Sequence, residues 1–123
     1  MSGNISTLTL TVAAAGALAA SRFVTQAGAY PSAGAAAFGV TRTSAAAAGD
    51  LVPVDVQGTA IVEVGTGGVT QDAALMVDAT GCVVALSGLS KSPVGRADRA
   101  QPDAGGFVEV LLVPSAGLLT PAA

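Results

Sequence analysis

Two stretches of this chain, 56 positions apart, carry the same pattern without a gap. Residues 39–54 read GVTRTSAAAAGDLVPV and residues 95–110 read GRADRAQPDAGGFVEV. Gly39, Ala48, Gly49, Val52 and Val54 answer to Gly95, Ala104, Gly105, Val108 and Val110; Leu51 answers to Phe107, and Arg42 to Arg99 one position out of step. Each block closes on an apolar alternation that suits a half-buried strand. A second pair lies upstream: Arg22-Phe23-Val24 with Ala27-Gly28, and Leu75-Met76-Val77 with Thr80-Gly81. The repeated unit is a short strand, a turn, a loop, a connector, and a strand opened by a small residue and Gly. Two such units in 123 residues describe one small β domain.

The side chains available to fill that domain are small. The chain holds 27 Ala and 16 Gly, against three Phe, one Tyr and no Trp. Burial returns roughly 25 cal/mol per Å² of apolar area, and ordering the backbone costs about 1–2 kcal/mol per residue. A core built on Val, Leu and Ile among so much Ala is thin, and a partner that shares it would help.

Charge is sparse. Five basic and eight acidic residues leave a net −3. No basic stripe is present to neutralise phosphates, which argues against direct nucleic-acid binding. With no His and a single Cys, the chain has neither an internal disulfide nor the usual activating partner for a thiol nucleophile. Cys82 opens the apolar run Cys82–Leu86 and reads as a small buried strand residue. The run Ala13–Ala20 lacks the basic flank of a secretory signal. No stretch reaches the roughly 20 apolar residues of a membrane helix.

Along the chain, Ile5–Val12 alternates from Leu8 to Val12 as a strand does, outside the repeated body. Ala13–Ala20 suits a short helix or an Ala/Gly loop. Short strands are expected over Ser21–Thr25, Ala35–Val40, Leu51–Val56, Thr59–Val64, Leu75–Val77, Cys82–Leu86, from Pro93, and over Phe107–Val113. Gly58 would let the third and fourth of these form a tight hairpin. Asp78-Ala-Thr-Gly81 fits a type I turn. In the last strand Val108, Val110 and Leu112 share one face, and Phe107, Leu111 and Val113 share the other with Glu109. Apolar residues on both faces imply a central strand or one face set against another subunit. The expected organisation is an N-terminal arm (1–19), a β domain (20–113) and a C-terminal tail (114–123). The fold class is all-β: a small barrel or tulip-like domain with an internal repeat.

The chemistry-bearing residues do not assemble into a motif. A glycosidase needs two facing carboxylates, but Asp50 and Asp78 suit turns and loops, and no Trp is present to stack a sugar. Gly65-x-Gly67-Gly68 lacks the Lys and the helix of a phosphate loop. Ser87, Ser90 and Lys91 match no Ser–Lys catalytic spacing. An enzyme is not expected, nor a cofactor or metal.

With these residues laid out, Ala20–Leu112 resembles the small capsid cement, or decoration, proteins of tailed bacteriophages. The resemblance runs through Arg22-Phe23-Val24, Gly39-Val40-Thr41, Ala48-Gly49-Asp50-Leu51-Val52-x-Val54 and Gly58. It continues through Leu75-Met76-Val77-Asp78-x-x-Gly81, Pro93-Val94-Gly95-x-Ala97 and Ala104-Gly105-x-x-Val108-x-Val110-Leu111-Leu112. It implies a compact β fold, homotrimers on the outer head surface at local three-fold positions, and the major capsid protein as partner. It implies no catalysis and no cofactor, and it carries over no site residue. The candidate contacts come from the ends of the chain: Ile5, Leu8, Leu10 and Val12 as a strand added to a neighbouring sheet edge, and Leu118 and Leu119 as an apolar terminal contact. The alternatives are a tail or head-fibre base, or a soluble barrel with a ligand pocket.

Overall fold

The computed structural model describes residues 5–88 and 91–113. It is all-β, with eight strands in one sheet. They are β1 (Ile5–Ala13), β2 (Phe23–Val24), β3 (Gly39–Thr41), β4 (Leu51–Glu63), β5 (Ala74–Val77), β6 (Val83–Ala85), β7 (Gly95–Ala97) and β8 (Phe107–Leu112). The order is β2-β3-β4-β8-β7-β5-β6, with β1 also on β4. A parallel bridge from Val64 to Val83 brings β6 back to the end of β4, so the sheet curls into a nearly closed barrel.

The internal repeat is present in the backbone hydrogen bonds. Val40 pairs with Asp55 and Thr41 with Val54; Arg96 pairs with Leu111 and Ala97 with Val110, all 56 positions on. The Thr41 amide donates to the Arg22 carbonyl, and the Ala97 amide donates to the Ala73 carbonyl. Leu18 and Ala45 exchange two bonds, as do Val69 and Gln101. Among the described residues, even the two non-glycine residues with positive φ, Ser21 (60°) and Asp72 (67°), are counterparts. Their amides donate to Thr41 and Ala97.

The spacing between counterparts grows along the chain. Val12 opposite Val52 corresponds to Val62 opposite Val108. Phe23 opposite Val40 corresponds to Ala74 opposite Arg96. The strand match is therefore Phe23-Val24 with Ala74-Leu75, two residues earlier than the sequence pairing with Met76-Val77. That sequence pairing holds for the turns that follow. Gly28 donates to Thr25 as Gly81 donates to Asp78, and both glycines have positive φ. β5 is simply two residues longer than β2.

Because β1 corresponds to the second half of β4, it belongs to the first repeat. It pairs with β4 of its own chain from Ile5–Thr59 to Ala13–Leu51, and Val12 is buried at 5% exposure. The hairpin expected at Gly58 is absent, because Leu51–Glu63 is one thirteen-residue strand. Gly58 takes φ +99° beside the register shifts of β1 instead, and the Ile5 carbonyl lies where its Cβ would be. Ala13–Ala20 forms no helix: Ala14 is tied by its amide to Asp50 and by its carbonyl to Gly49. The strand expected over Ala35–Val40 is confined to Gly39–Thr41.

Two buried clusters follow the two repeats. One contains Val12, Leu18, Val24, Val52 and Val54; their counterparts Val62, Val69, Leu75, Val108 and Val110 lie in the other. Phe23 and Val40, although on β2 and β3, pack into the second cluster. The first repeat thus seats one surface on the second.

Glycines 39 and 95 fix the strand crossings. A Cβ on Gly39 would stand 2.5 Å from the Asp55 carbonyl and 2.6 Å from Val54 Cγ1; on Gly95 it would stand 2.6 Å from the Leu111 carbonyl and 2.5 Å from Val110 Cγ1. Gly39→Ala and Gly95→Ala should each destabilise by about 2–3 kcal/mol through overpacking. Gly49→Ala and Gly105→Ala, at positive φ in open space, should cost about 1–2 kcal/mol. Urea midpoints of the four variants check this, and the two members of each pair should agree.

Candidate functional site: an outer sheet surface

The polar residues are used to hold the fold. The Asp78 carboxylate accepts bonds from the Thr80 amide (2.9 Å), the Thr80 hydroxyl (2.8 Å) and the Cys82 amide (3.0 Å). Asp50 accepts from the amides of Ala46 and Ala47. Both act as turn residues, as their sequence positions suggest. Asp55, at 1% exposure, is held by Arg42 Nε at 2.8 Å and by the Thr9 hydroxyl at 2.9 Å. Glu109 is also buried and accepts from the Thr59 hydroxyl at 2.6 Å. Sequence reasoning placed Glu109 on a strand face and left Asp55 without a role, because neither partner is close in sequence.

Between the repeats, Arg22 donates to Glu63 (3.1 Å) and to the Thr80 carbonyl (3.0 Å). Burial opposes the charge of Arg22, but the bond to Glu63 and neighbouring groups outweigh it and raise its pKa. Cys82 is buried beside Thr80 and Glu63. Burial pushes its thiol above the ordinary value. That lowers the thiolate fraction and makes the group inert. Among the described residues, no cluster of three His, Cys, Asp or Glu could hold a metal ion.

Of the residues singled out in the sequence, Ile5, Leu8 and Leu10 are exposed and Val12 is in the core. Leu118 and Leu119 lie outside the described residues. The exposed apolar set also includes Leu51, Phe107, Leu111 and Val113. The signal for three of these was the two-sided pattern of β8: Val108, Val110 and Leu112 face in, and Phe107, Leu111 and Val113 are at least 42% exposed. A shallow groove of about 590 Å³ runs beside Leu111, bordered by Thr59, Asp72, Arg96 and Asp98. Its border charges include an Arg96–Asp72 pair at 3.3 Å with both side chains more than half exposed.

The family model described as phage cement protein matches residues 1–112. The chain belongs to that family. As a member of it, the chain is a structural protein of the phage virion. Comparison with curated protein sequences gives no match. Among solved structures, it is similar to the N base of the head fibre gp8.5 of bacteriophage phi29. That likeness has a TM-score of 0.69 at 17% identity and covers 91% of this chain and 97% of that one. At that identity the likeness is one of fold.

Two expectations follow for the buried polar groups. Arg42→Ala leaves a buried carboxylate without its cation and should cost about 2–3 kcal/mol, the partial exposure of Arg42 keeping the loss below that of a fully buried pair. Arg96→Ala removes an exposed pair and should cost under about 1 kcal/mol. Denaturant titration of the two variants gives the comparison. Cys82 should resist alkylation at pH 8 in the folded protein and react in full once unfolded, as mass spectrometry of the labelled protein would read.

Proposed function

We propose that this virion protein docks on the outer surface of the phage head, in the manner of a head-fibre base. The supporting observation is the fold shared with the phi29 head-fibre base over nearly all of that chain, joined to membership of the cement family. A protein with this role needs a rigid scaffold and contact surface rather than a reaction centre. Its contacts are many and weak, and repetition over a shell supplies the avidity. The second reading is cement: a clamp over the joints between capsomers that raises resistance to heat and internal pressure. Family membership favours it. Both readings take the major capsid protein as partner and a homotrimer as the working unit, at three-fold positions for the cement.

The proposed shell contacts are the exposed apolar residues of β1, with Leu118 and Leu119 of the C-terminal segment as a second contact. Among the described residues, β1 pairs on one side only, with β4. Its sequence ISTLTLTVA has no charge and no Pro, the features that usually protect an edge. A strand of the shell protein can therefore add to it. Apolar and main-chain contacts of this kind depend only weakly on salt.

Electron cryomicroscopy of particles with and without the protein tests the reading. Density on the outside of the head is expected. A few copies each topped by an appendage mark a fibre base, and copies at every equivalent joint mark a cement. Copies found only in the tail overturn both. Deletion of β1 would remove Val12 from the core, so substitution is the better test of the edge. Leu8→Lys with Leu10→Lys should leave the protein folded and lower its occupancy on shells at least tenfold. Unchanged occupancy would remove β1 from the contact.

A further inference from the structure

The two repeats supply an internal reference for what covers each surface. Across the first repeat, Thr9, Asp55, Val40 and Phe23 form a row of cross-strand partners on β1, β4, β3 and β2. The counterpart row in the second repeat is Thr59, Leu111, Arg96 and Ala74, on β4, β8, β7 and β5. Backbone registers are the same, but at three of the four positions the burial is opposite, the exceptions being exposed Thr9 and half-buried Thr59. Phe23, Val40 and Asp55 are 2%, 1% and 1% exposed. Leu111 is 51% exposed, and Arg96 and Ala74 are exposed as well.

Phe23 and Val40 of the first row are covered by the second repeat and sit in its core cluster. The Asp78–Cys82 turn lies over them: the Phe23 amide donates to Gly81, and Arg22 reaches Thr80 and Glu63. No further repeat follows in the described chain, so the second row lies open along the groove beside Leu111. The residues that would cover it, by the same correspondence, are the Thr25–Ala29 turn and Ala13, counterparts of the Asp78–Cys82 turn and Glu63. Gln26, Ala27, Ala29 and Ala13 are all exposed.

We infer that the groove beside Leu111 is a self-association surface, and that its occupant is the Thr25–Ala29 turn of a second copy of this chain. Each copy then offers one end of the array and accepts the other. Such a head-to-tail contact uses two different patches, and repeats of it close into a ring only where the rotation between copies closes. Ala74 in place of Phe23 leaves room for the incoming turn, and Leu111 in place of Asp55 supplies an apolar floor. The replacements also explain why the contact is weaker than the internal one: the second repeat lacks both the aromatic anchor and the buried ion pair of the first. This inference deepens the self-association part of the proposed function and rests on it; docking on the head is a separate matter, because the test uses free protein.

The test mixes two full-length single-site variants, Arg96→Cys and Gln26→Cys, at high concentration under mild oxidation. Cys82 is buried and stays out of the reaction. The expected product is the mixed disulfide, at least tenfold over either like-with-like dimer. A Leu111→Asp substitution in the Arg96→Cys chain should abolish it while leaving the circular dichroism melt in place. Like-with-like dimers in equal yield, or none of any kind, overturn the inference. So does a mixed product that forms only after residues 114–123 are removed, which would make the chain's own end the occupant. Cross-linking of Arg96→Cys only to the shell protein on particles would overturn it too.

Discussion

The structure depends on one strand serving two sheets' worth of pairing. β4 pairs through Leu51–Thr59 with β1 and through Thr59–Glu63 with β8. Its first part closes the first repeat and its second part opens the second. A strand of thirteen residues spans roughly 43 Å when extended, long enough to pass from one core into the other without a loop. Because no connection intervenes, the repeats cannot separate, and the outer row of the first is pressed onto the second. Gly58 is where this continuity is won: it lets the backbone kink beside the shifts of β1 without ending the strand.

A thin core can hold such a fold because the backbone does much of the work. The fully buried side chains are mostly Val, each of small area but β-branched and well fitted to a pleated surface. Where the repeats meet, Phe23 packs into the second cluster and Arg22 spans Glu63 and Thr80. The buried polar groups likewise tie elements that are distant in sequence, as Thr9 and Arg42 do with Asp55. The features that distinguish one repeat from the other lie in a row that is buried in the first repeat and exposed in the second.

Duplication explains how such a surface arises. Two backbones with the same registers were free to differ at positions that face out. In the first repeat those positions became an interface, with Phe23, Val40 and the Asp55 ion pair. In the second they became Ala74, Arg96 and Leu111, a mixed apolar and charged face. The same strand geometry thus yields a covered surface and an open one, with only side chains to tell them apart.

The repeat, the all-β class and the roles of Asp50, Asp78 and Cys82 were legible from residue order alone. Alternation, turn residues and a gapless offset are local properties, and local sterics and hydrogen bonds decide them. Tertiary structure decided the rest. That β1 lies on its own β4, that Gly58 bends a continuous strand instead of closing a hairpin, and that Asp55 is buried beside Arg42 and Thr9 all depend on partners tens of residues away. The burial of one row and the exposure of its counterpart could not be read either. Both rows alternate in sequence in the same way, and only the order in which the repeats stack determines which of them meets protein and which meets solvent.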